Sequence, residues 1–139
     1  MSDPHPAENT VPVASRPLTA VAVAAPFGRD LDAALARIEA TLHAARERGA
    51  GLVVFPETTL GGYVREPVGA ESAPDLPPSL AVDGPEVARV IASAGEMTVC
   101  VGLTVDEGAE RRNVALCVSG DGILGRHDKV HRPPAERVA

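Results

Sequence analysis

With 139 residues, the chain is long enough for one domain with a hydrophobic core. Two domains are not expected at this length. Hydrophobic residues make up 45% of it and aromatic residues only 2%, so a folded core must be built from Ala, Val, Leu and Ile. Thirteen basic and nineteen acidic residues give a net charge of −6 without a basic cluster, which argues against nucleic acid or an anionic membrane surface as the main partner and favours small molecules or proteins.

The N-terminal part of the chain predicts a tail followed by a strand, a helix and a second strand. Residues 1–17 hold four prolines among small polar residues and are expected to form a flexible tail. Residues 18–25 and 51–55 are apolar and predict two buried strands, which should be parallel because a helix connects them. Asp30 is the expected N-cap of that helix, and Gly49 is its expected end. Its apolar residues recur at steps of three and four and form one stripe: Leu31, Leu35, Ile38, Leu42 and Ala45.

The longest apolar run, residues 18–27, is too short to cross a bilayer. The sequence before it lacks the basic start of a signal peptide. We therefore expect a cytoplasmic protein that does not bind a membrane.

A long loop and a second helix are predicted next. Residues 58–82 show little periodicity and many Pro and Gly, and a loop of this length is expected to border a functional site. Asp83 is the expected N-cap of the second helix, with Pro85 in its first turn and Gly95 at its end. The apolar residues of this helix are Val87, Val90, Ile91 and Ala94.

The rest of the chain predicts three more strands, at residues 97–105, 113–118 and 123–130. A charged turn is expected at residues 106–110. The sequence Gly120-Asp121-Gly122 is expected to supply positive-φ residues for a tight hairpin turn. The order of strands and helices predicts the α/β fold class.

The two cysteines, Cys100 and Cys117, each lie within an apolar predicted strand. Buried free thiols are therefore expected rather than a disulfide. No His pair lies near them in sequence, so no zinc site is predicted, and neither a metal nor a cofactor is expected.

Three glycines, Gly120, Gly122 and Gly125, match the pattern GxGxxG. The dinucleotide-binding form of this pattern opens a helix, because the pyrophosphate binds at the helix N-terminus. Here a strand and a Pro-Pro sequence follow, so we reject this interpretation.

Two charged residues lie at the ends of predicted strands. Glu57 follows Pro56, which ends the second strand because proline has no N–H for the ladder, and open α/β sheets place ligand sites at this end. Lys129, the only lysine among the thirteen basic residues, lies near the carboxyl end of the last strand. An acid and an ammonium in one cleft can serve as base and oxyanion stabiliser around a nucleophile. The alternatives are a solvated loop glutamate and an ordinary ion pair at a sheet edge.

Two segments occur in an informative order: FPETTLGGY at residues 55–63 and GRHDKVHRPP at residues 125–134. The first resembles the glutamate motif and the second the lysine motif of the nitrilase superfamily, the carbon–nitrogen hydrolases. The expected helix and hairpin lie between them, so the resemblance covers nearly all of the chain after the tail. It implies roughly the first half of an αββα sandwich, with a mixed sheet and helices on one face.

The resemblance also implies a Glu-Lys-Cys triad that hydrolyses small-molecule nitriles, amides or carbamoyl compounds through a thioester, in an enzyme that is a homo-oligomer when complete. By position, Glu57 is the general base and Lys129 stabilises the tetrahedral oxyanion. Tyr63 is implied to shape the pocket entrance, and Glu136, a looser match, to position the substrate. Amidase or carbamoyl-amide hydrolase activity is favoured over nitrilase activity because those subclasses are commoner.

The nucleophilic cysteine of the family lies well after the lysine, and the chain ends before that point. Cys100 and Cys117 precede Lys129 and lack the turn geometry and electropositive setting that activate a thiol. We therefore expect residues 18–139 to be a partial domain that is inactive by itself. Two other hypotheses stay open. One is a catalytically inactive half-domain that acts as a binding or assembly module through its exposed sheet face, and the other is a small α/β domain with a purely structural Glu57–Lys129 pair.

Overall fold

The computed structural model describes residues 16–64, 75–108 and 110–137. In chain order its strands are β1 (Ala20–Ala22), β2 (Leu52–Val54), β3 (Thr98–Glu107), β4 (Glu110–Ser119) and β5 (Gly122–Asp128). The helices are α1 (Leu31–Glu47), α2 (Pro85–Ala94) and α3 (Pro134–Arg137). Most of the predicted tail (residues 1–15) and the centre of the predicted long loop (residues 65–74) lie outside the described residues.

The strands form one mixed sheet in the order β1-β2-β3-β4-β5. Strands β1, β2 and β3 are parallel, and β4 is antiparallel to both β3 and β5. Four strands therefore run in the same direction, and the carboxyl ends of β2 and β5 lie at the same edge of the sheet. The predicted α/β class and the parallel pairing of the first two strands are confirmed.

Helix α1 forms where it was predicted because its ends are capped and one of its faces is apolar. The Asp30 side chain accepts a hydrogen bond from the N–H of Ala33 at 3.0 Å, and Gly49 follows the helix with a φ of +70°. The buried face consists of Ala34, Leu35, Ile38, Leu42 and Ala45. Burial of each large side chain of this set contributes about 1.5–3 kcal/mol.

The N-cap of helix α2 is Gly84, so the prediction of Asp83 is wrong. A residue that precedes proline is pushed out of the helical region, and Gly84 has an extended conformation with φ −78° and ψ 170°. The cap must therefore come immediately before Pro85, which is the first helical residue. The predicted end of the helix at Gly95 is confirmed.

Strands β3 and β4 extend into the segment that was predicted as a charged turn. Asp106 pairs across the hairpin with Arg111, and Arg111 Nε lies 3.4 Å from Asp106 Oδ1. Opposite charges at facing positions stabilise strand pairs. A charged segment has no alternation of apolar and polar residues, so the sequence pattern did not predict a strand here. The turn itself is centred on Gly108, which has a φ of +66°.

The other strand boundaries and turns also differ from the predictions. The residues of β1 are exposed or partly buried, so the prediction of a buried strand is wrong there. Strand β1 is limited to the three residues that pair with β2, and β2 ends at Val54. In the second hairpin only Gly122, and not Gly120, has a positive φ. Strand β5 ends at Asp128, so Lys129 lies immediately beyond it.

One face of the sheet packs against α1 and α2 and forms the core. Cross-strand pairs on this face are Val99–Val118, Val101–Leu116 and Leu103–Val114, each nearly or fully buried. The pairs on the opposite face, which we call the open face, are Cys100–Cys117, Gly102–Ala115 and Thr104–Asn113. The open face therefore combines small side chains with polar ones.

Candidate active site

A short loop that we call the glutamate elbow (residues 56–59) interrupts the pairing along one edge of β3. The N–H of Phe55 donates to the Cys100 carbonyl at 2.9 Å, and the N–H of Leu60 donates to the Gly102 carbonyl at 3.0 Å. Successive bonds in a parallel ladder come from donors two residues apart, but these donors are five residues apart. Three extra residues therefore bulge out of the ladder at this point.

The elbow packs directly on Gly102. A Cβ atom at this position would lie 2.4 Å from the backbone N of Thr58 and 2.9 Å from the carbonyl C of Glu57. Thr58 has a φ of +51°, which is rare for a β-branched residue and costs about 1–3 kcal/mol. The hydroxyl of Thr59 donates to the Pro56 carbonyl at 2.6 Å and closes the loop. These contacts hold the Glu57 side chain above the open face.

Lys129 is positioned by strand β4. Its N–H donates to the Asn113 carbonyl at 2.9 Å, which continues the strand pairing one residue beyond Asp128. Its Nζ lies 2.7 Å from Glu57 Oε1 and 3.0 Å from Glu136 Oε1. The ammonium group is therefore held between two carboxylates at the carboxyl edge of the sheet.

Asn113 is a site residue that the sequence analysis missed. Its Nδ2 donates to Glu57 Oε1 at 2.7 Å and to Glu136 Oε2 at 3.4 Å. The side chain of Glu136 is 11% exposed, so these contacts balance a carboxylate that is largely buried. The available signal was a polar residue at the start of an apolar strand, on the strand that pairs with the lysine-bearing segment.

The electrostatics of the site keep both members of the pair charged. Burial alone raises the pKa of Glu57, but hydrogen bonds from Lys129, Asn113 and Tyr63 and the charge of Lys129 outweigh burial and lower it below 4.5. Burial lowers the pKa of Lys129, but the hydrogen bonds and charges of Glu57 and Glu136 raise it above 10.5. At neutral pH the site therefore holds an ionised acceptor beside a protonated donor.

An open cleft of about 660 Å³ lies over the open face beside these residues. Its lining includes Glu57, Lys129, Asn113, Cys100 and His127. Such a volume matches that of a small-molecule site. Within the described ranges, no cluster of three or more His, Cys, Asp or Glu side chains is arranged to hold a metal ion. In the same ranges, no helix is long and apolar enough to cross a membrane.

Comparison with known proteins identifies the family. Residues 18–138 match the family model of the carbon-nitrogen hydrolases. The chain belongs to the carbon–nitrogen hydrolase family. This result confirms the resemblance to the nitrilase superfamily that rests on the two motifs around Glu57 and Lys129.

Three relatives show how much of a carbon–nitrogen hydrolase the chain represents. It is 30% identical to an aliphatic nitrilase from Sinorhizobium fredii (strain HH103), with 86% of this chain and 43% of the relative covered. It is 32% identical to a bifunctional nitrilase/nitrile hydratase from Nicotiana tabacum, with 78% of this chain and 36% of the relative covered. An amidase from Nesterenkonia sp. superposes with a TM-score of 0.60 at 25% identity, with 86% of this chain and 43% of that chain covered. The chain therefore spans less than half of the relatives it matches, and its mixed sheet with helices is part of a nitrilase-like fold.

The structure brings all four residues predicted for the site into one cluster. Glu57, Lys129 and Glu136 are joined directly, as described above. The Tyr63 hydroxyl lies 3.4 Å from Glu57 Oε2, and burial together with the charge of Glu57 raises the pKa of the phenol. The implied roles of Tyr63 at the entrance and of Glu136 in substrate positioning stay predictions.

The two cysteines of the chain are free, but they are half-buried rather than buried as predicted. The reason is their orientation, because Cys100 and Cys117 point to the open face and away from the helices. Their Sγ atoms are 2.7 Å apart. Burial and the neighbouring Cys117 thiol raise the pKa of Cys100 to about 11, so Cys100 is not an activated nucleophile.

Proposed function

We propose that this chain is the N-terminal part of an enzyme that hydrolyses small-molecule amides, carbamoyl compounds or nitriles through a Glu-Lys-Cys triad. The observation that carries the proposal is the 2.7 Å contact between Glu57 and Lys129 at the border of an open cleft. Membership of the carbon–nitrogen hydrolase family and similarity to both a nitrilase and an amidase support it. We favour an amide or carbamoyl substrate.

The two oxygens of the Glu57 carboxylate have different surroundings. Oε1 accepts two hydrogen bonds of 2.7 Å, from Lys129 and Asn113. Among the described residues, Oε2 receives only the 3.4 Å contact from the Tyr63 hydroxyl. Oε2 is therefore the oxygen that we assign to accept the thiol proton, while Oε1 keeps the side chain oriented.

Lys129 suits the role of oxyanion stabiliser. Its ammonium group has three N–H donors, and Glu57 and Glu136 take two of them. Among the described residues no other acceptor bonds to this ammonium group, so we assign the third donor to the oxygen that becomes negative when the substrate carbon is attacked. The raised pKa of Lys129 favours this role and disfavours a role as base.

The proposed reaction on an amide proceeds in two halves. Glu57 removes the thiol proton, the thiolate adds to the carbonyl carbon, and the oxyanion is stabilised by Lys129. Glu57 then returns the proton to the departing amine or ammonia, which leaves a thioester. In the second half Glu57 takes a proton from water, and the resulting hydroxide attacks the thioester. The carboxylic acid leaves, and Glu57 returns the proton to the departing thiolate, which restores the thiol and the ionised base.

We place the nucleophilic cysteine of the triad in sequence that follows this chain. Neither Cys100 nor Cys117 fits the role, since both lie within strands and contact each other. The chain covers 43% of its nitrilase relative, which leaves room for the remaining half of the domain. The 139-residue chain is accordingly expected to release no ammonia by itself.

Expression of the reading frame extended downstream of the chain tests the proposal. The extended protein should contain a cysteine after Lys129 and should release ammonia from an aliphatic amide, a carbamoyl amide or a nitrile. Glu57→Gln should abolish this release. Glu39→Gln is a matched control, because Glu39 also lies in an ion pair, with Arg89, and has a similar side-chain exposure of 38% compared with 41% for Glu57. An extension without a cysteine, or full activity of Glu57→Gln, would contradict the proposal.

One observation favours the alternative of a binding or assembly module. Val54 and Val130 line the cleft and are 40% and 76% exposed, so apolar surface is available there for association. Sedimentation of the 139-residue chain over a dilution series separates the two functions. Two results together would favour the module. One is self-association of the chain that Val54→Ser and Val130→Ser abolish, and the other is an extended protein without hydrolase activity.

A further inference from the structure

Cys100 and Cys117 form a pair that the proposed reaction does not use. They lie directly opposite each other on β3 and β4, and their Sγ atoms are 2.7 Å apart. Both are free and half-buried on the open face, and Cys100 also lines the cleft. Two thiols in contact at a partly accessible position have the arrangement from which a disulfide can form.

The backbone geometry of the pair can be read from its neighbours. The Cys100 carbonyl accepts a hydrogen bond from Phe55, so it points towards β2 and away from β4. The N–H and the carbonyl of one strand residue point to the same side, so neither group of Cys100 bonds to Cys117. The two cysteines therefore occupy a non-hydrogen-bonded site, where Cα atoms are about 4.5 Å apart and side chains are closest. This separation lies within the range of natural disulfides.

We propose that Cys100 and Cys117 form a reversible disulfide on the open face, with a low-molecular-weight disulfide as the oxidant. One cysteine thiolate attacks a sulfur of the small disulfide, which forms a mixed disulfide and releases one small thiol. The second cysteine thiolate then attacks the protein sulfur of the mixed disulfide and releases the second small thiol. The two cysteines lose two electrons and two protons, and the small disulfide gains them.

The position of the pair determines what the bond would stabilise. On β3, Cys100 is two residues before Gly102, on which the glutamate elbow rests. On β4, Cys117 lies on the same face as Asn113, which bonds to Glu57. The disulfide would join the strand that supports the elbow to the strand that carries its hydrogen-bond donor. It would also close the β3–β4 hairpin and restrict the unfolded chain.

The reduced pair is expected to react slowly at neutral pH. Because burial raises the pKa of Cys100 to about 11, this thiol stays protonated there. The proposal concerns the equilibrium between dithiol and disulfide, so the test must run until the ratio of the two forms no longer changes.

The test compares the folded and unfolded chain in mixtures of reduced and oxidised glutathione under anaerobic conditions. Samples of the 139-residue chain, with and without concentrated guanidinium chloride, are quenched with acid, alkylated and analysed by mass spectrometry. For each state, the measured quantity is the ratio of reduced to oxidised glutathione at which half of the chain carries the Cys100–Cys117 disulfide. This ratio should be about tenfold or more higher for the folded chain than for the unfolded chain. Dithiothreitol should restore both thiols.

The single variants Cys100→Ser and Cys117→Ser are the controls, and each should form only a mixed disulfide with glutathione. Oxidation of the wild-type chain should also raise its melting temperature by about 5–10 °C, and neither variant should show such an increase. A folded chain that needs the same mixture as the unfolded chain, or a more oxidising one, would overturn the proposal. So would a disulfide that forms only between molecules.

Discussion

The Nζ atom of Lys129 lies 2.7 Å from Oε1 of Glu57, although the two residues are 72 positions apart in the sequence. The same oxygen accepts a hydrogen bond of 2.7 Å from Asn113. These contacts lower the pKa of Glu57 even though burial raises it. The ionisation of Glu57 therefore reports on the geometry of the whole cluster.

Replacement of Lys129 by alanine should raise the pKa of Glu57 more than replacement of Asn113 by alanine. The lysine supplies both a hydrogen bond and a charge, whereas the amide supplies only a hydrogen bond. Carboxyl ¹³C NMR titration of the chain measures both effects. Arg89→Ala, which removes the ion pairs with Asp32 and Glu39 on the helical side, is the control and should leave the Glu57 titration unchanged. An unchanged Glu57 pKa in Lys129→Ala would mean that the ion pair does not persist in solution.

Replacement of Gly102 by alanine should displace the glutamate elbow. The added Cβ would lie 2.4 Å from a backbone nitrogen that cannot move without the loop, and the expected loss of stability is about 1–3 kcal/mol. Gly125→Ala is a matched control on β5, since no atom lies within 4 Å of its added Cβ. Urea unfolding measures the stability, and the Glu57 titration measures the displacement. Equal effects of the two substitutions would contradict the packing described for the elbow.

The elements of the fold that could be predicted from sequence are those with strong local signals. Helix α1 has a capping aspartate, an apolar stripe and a terminal glycine, and the structure confirms the aspartate and the glycine. Four of the five predicted stripe residues are buried, whereas Leu31 is only partly buried. The extension of β3 and β4 through Asp106 and Arg111 could not be predicted in this way. Its stability comes from a cross-strand ion pair, which leaves no periodic pattern in either segment.

The stability of the chain should depend on pH at both ends of the scale. The pKa of Glu57 is lowered in the folded state, as described above, and the pKa of Asp128 is lowered chiefly by its hydrogen bond with Arg126. The contribution of these two carboxylates to the stability of the fold is therefore fully present above their unfolded pKa values of 4.5 and 3.8. It is lost as the pH falls through the lower folded values. Lys129 has a raised folded-state pKa, so its stabilisation is present below 10.5 and is lost as the pH rises through the higher value.

Chemical unfolding as a function of pH measures this dependence. Glu57→Gln should reduce the loss of unfolding free energy below pH 4.5. An identical acid profile for wild type and Glu57→Gln would show that the Glu57 contacts do not stabilise the fold.

The charged residues of the candidate site could be predicted from the sequence, but the residues that hold them in position could not. Glu57 and Lys129 could be found because each lies at the end of a predicted strand and because Lys129 is a lone lysine. Asn113 and Gly102 could not, because their roles depend on which atoms the sheet register brings together. Gly102 is one glycine among thirteen, and only the elbow packed against it distinguishes it from the others.

The turnover of an amide by the extended protein with Lys129→Ala tests the catalytic assignment of the pair most directly. Loss of the proposed oxyanion stabiliser should lower kcat by about 10²–10³-fold while circular dichroism shows an intact fold. Arg89→Ala, a matched loss of one positive charge from an ion pair, should keep the wild-type rate. A Lys129→Ala enzyme that turns over at the full rate would contradict the assignment and leave the Glu57–Lys129 contact a structural ion pair.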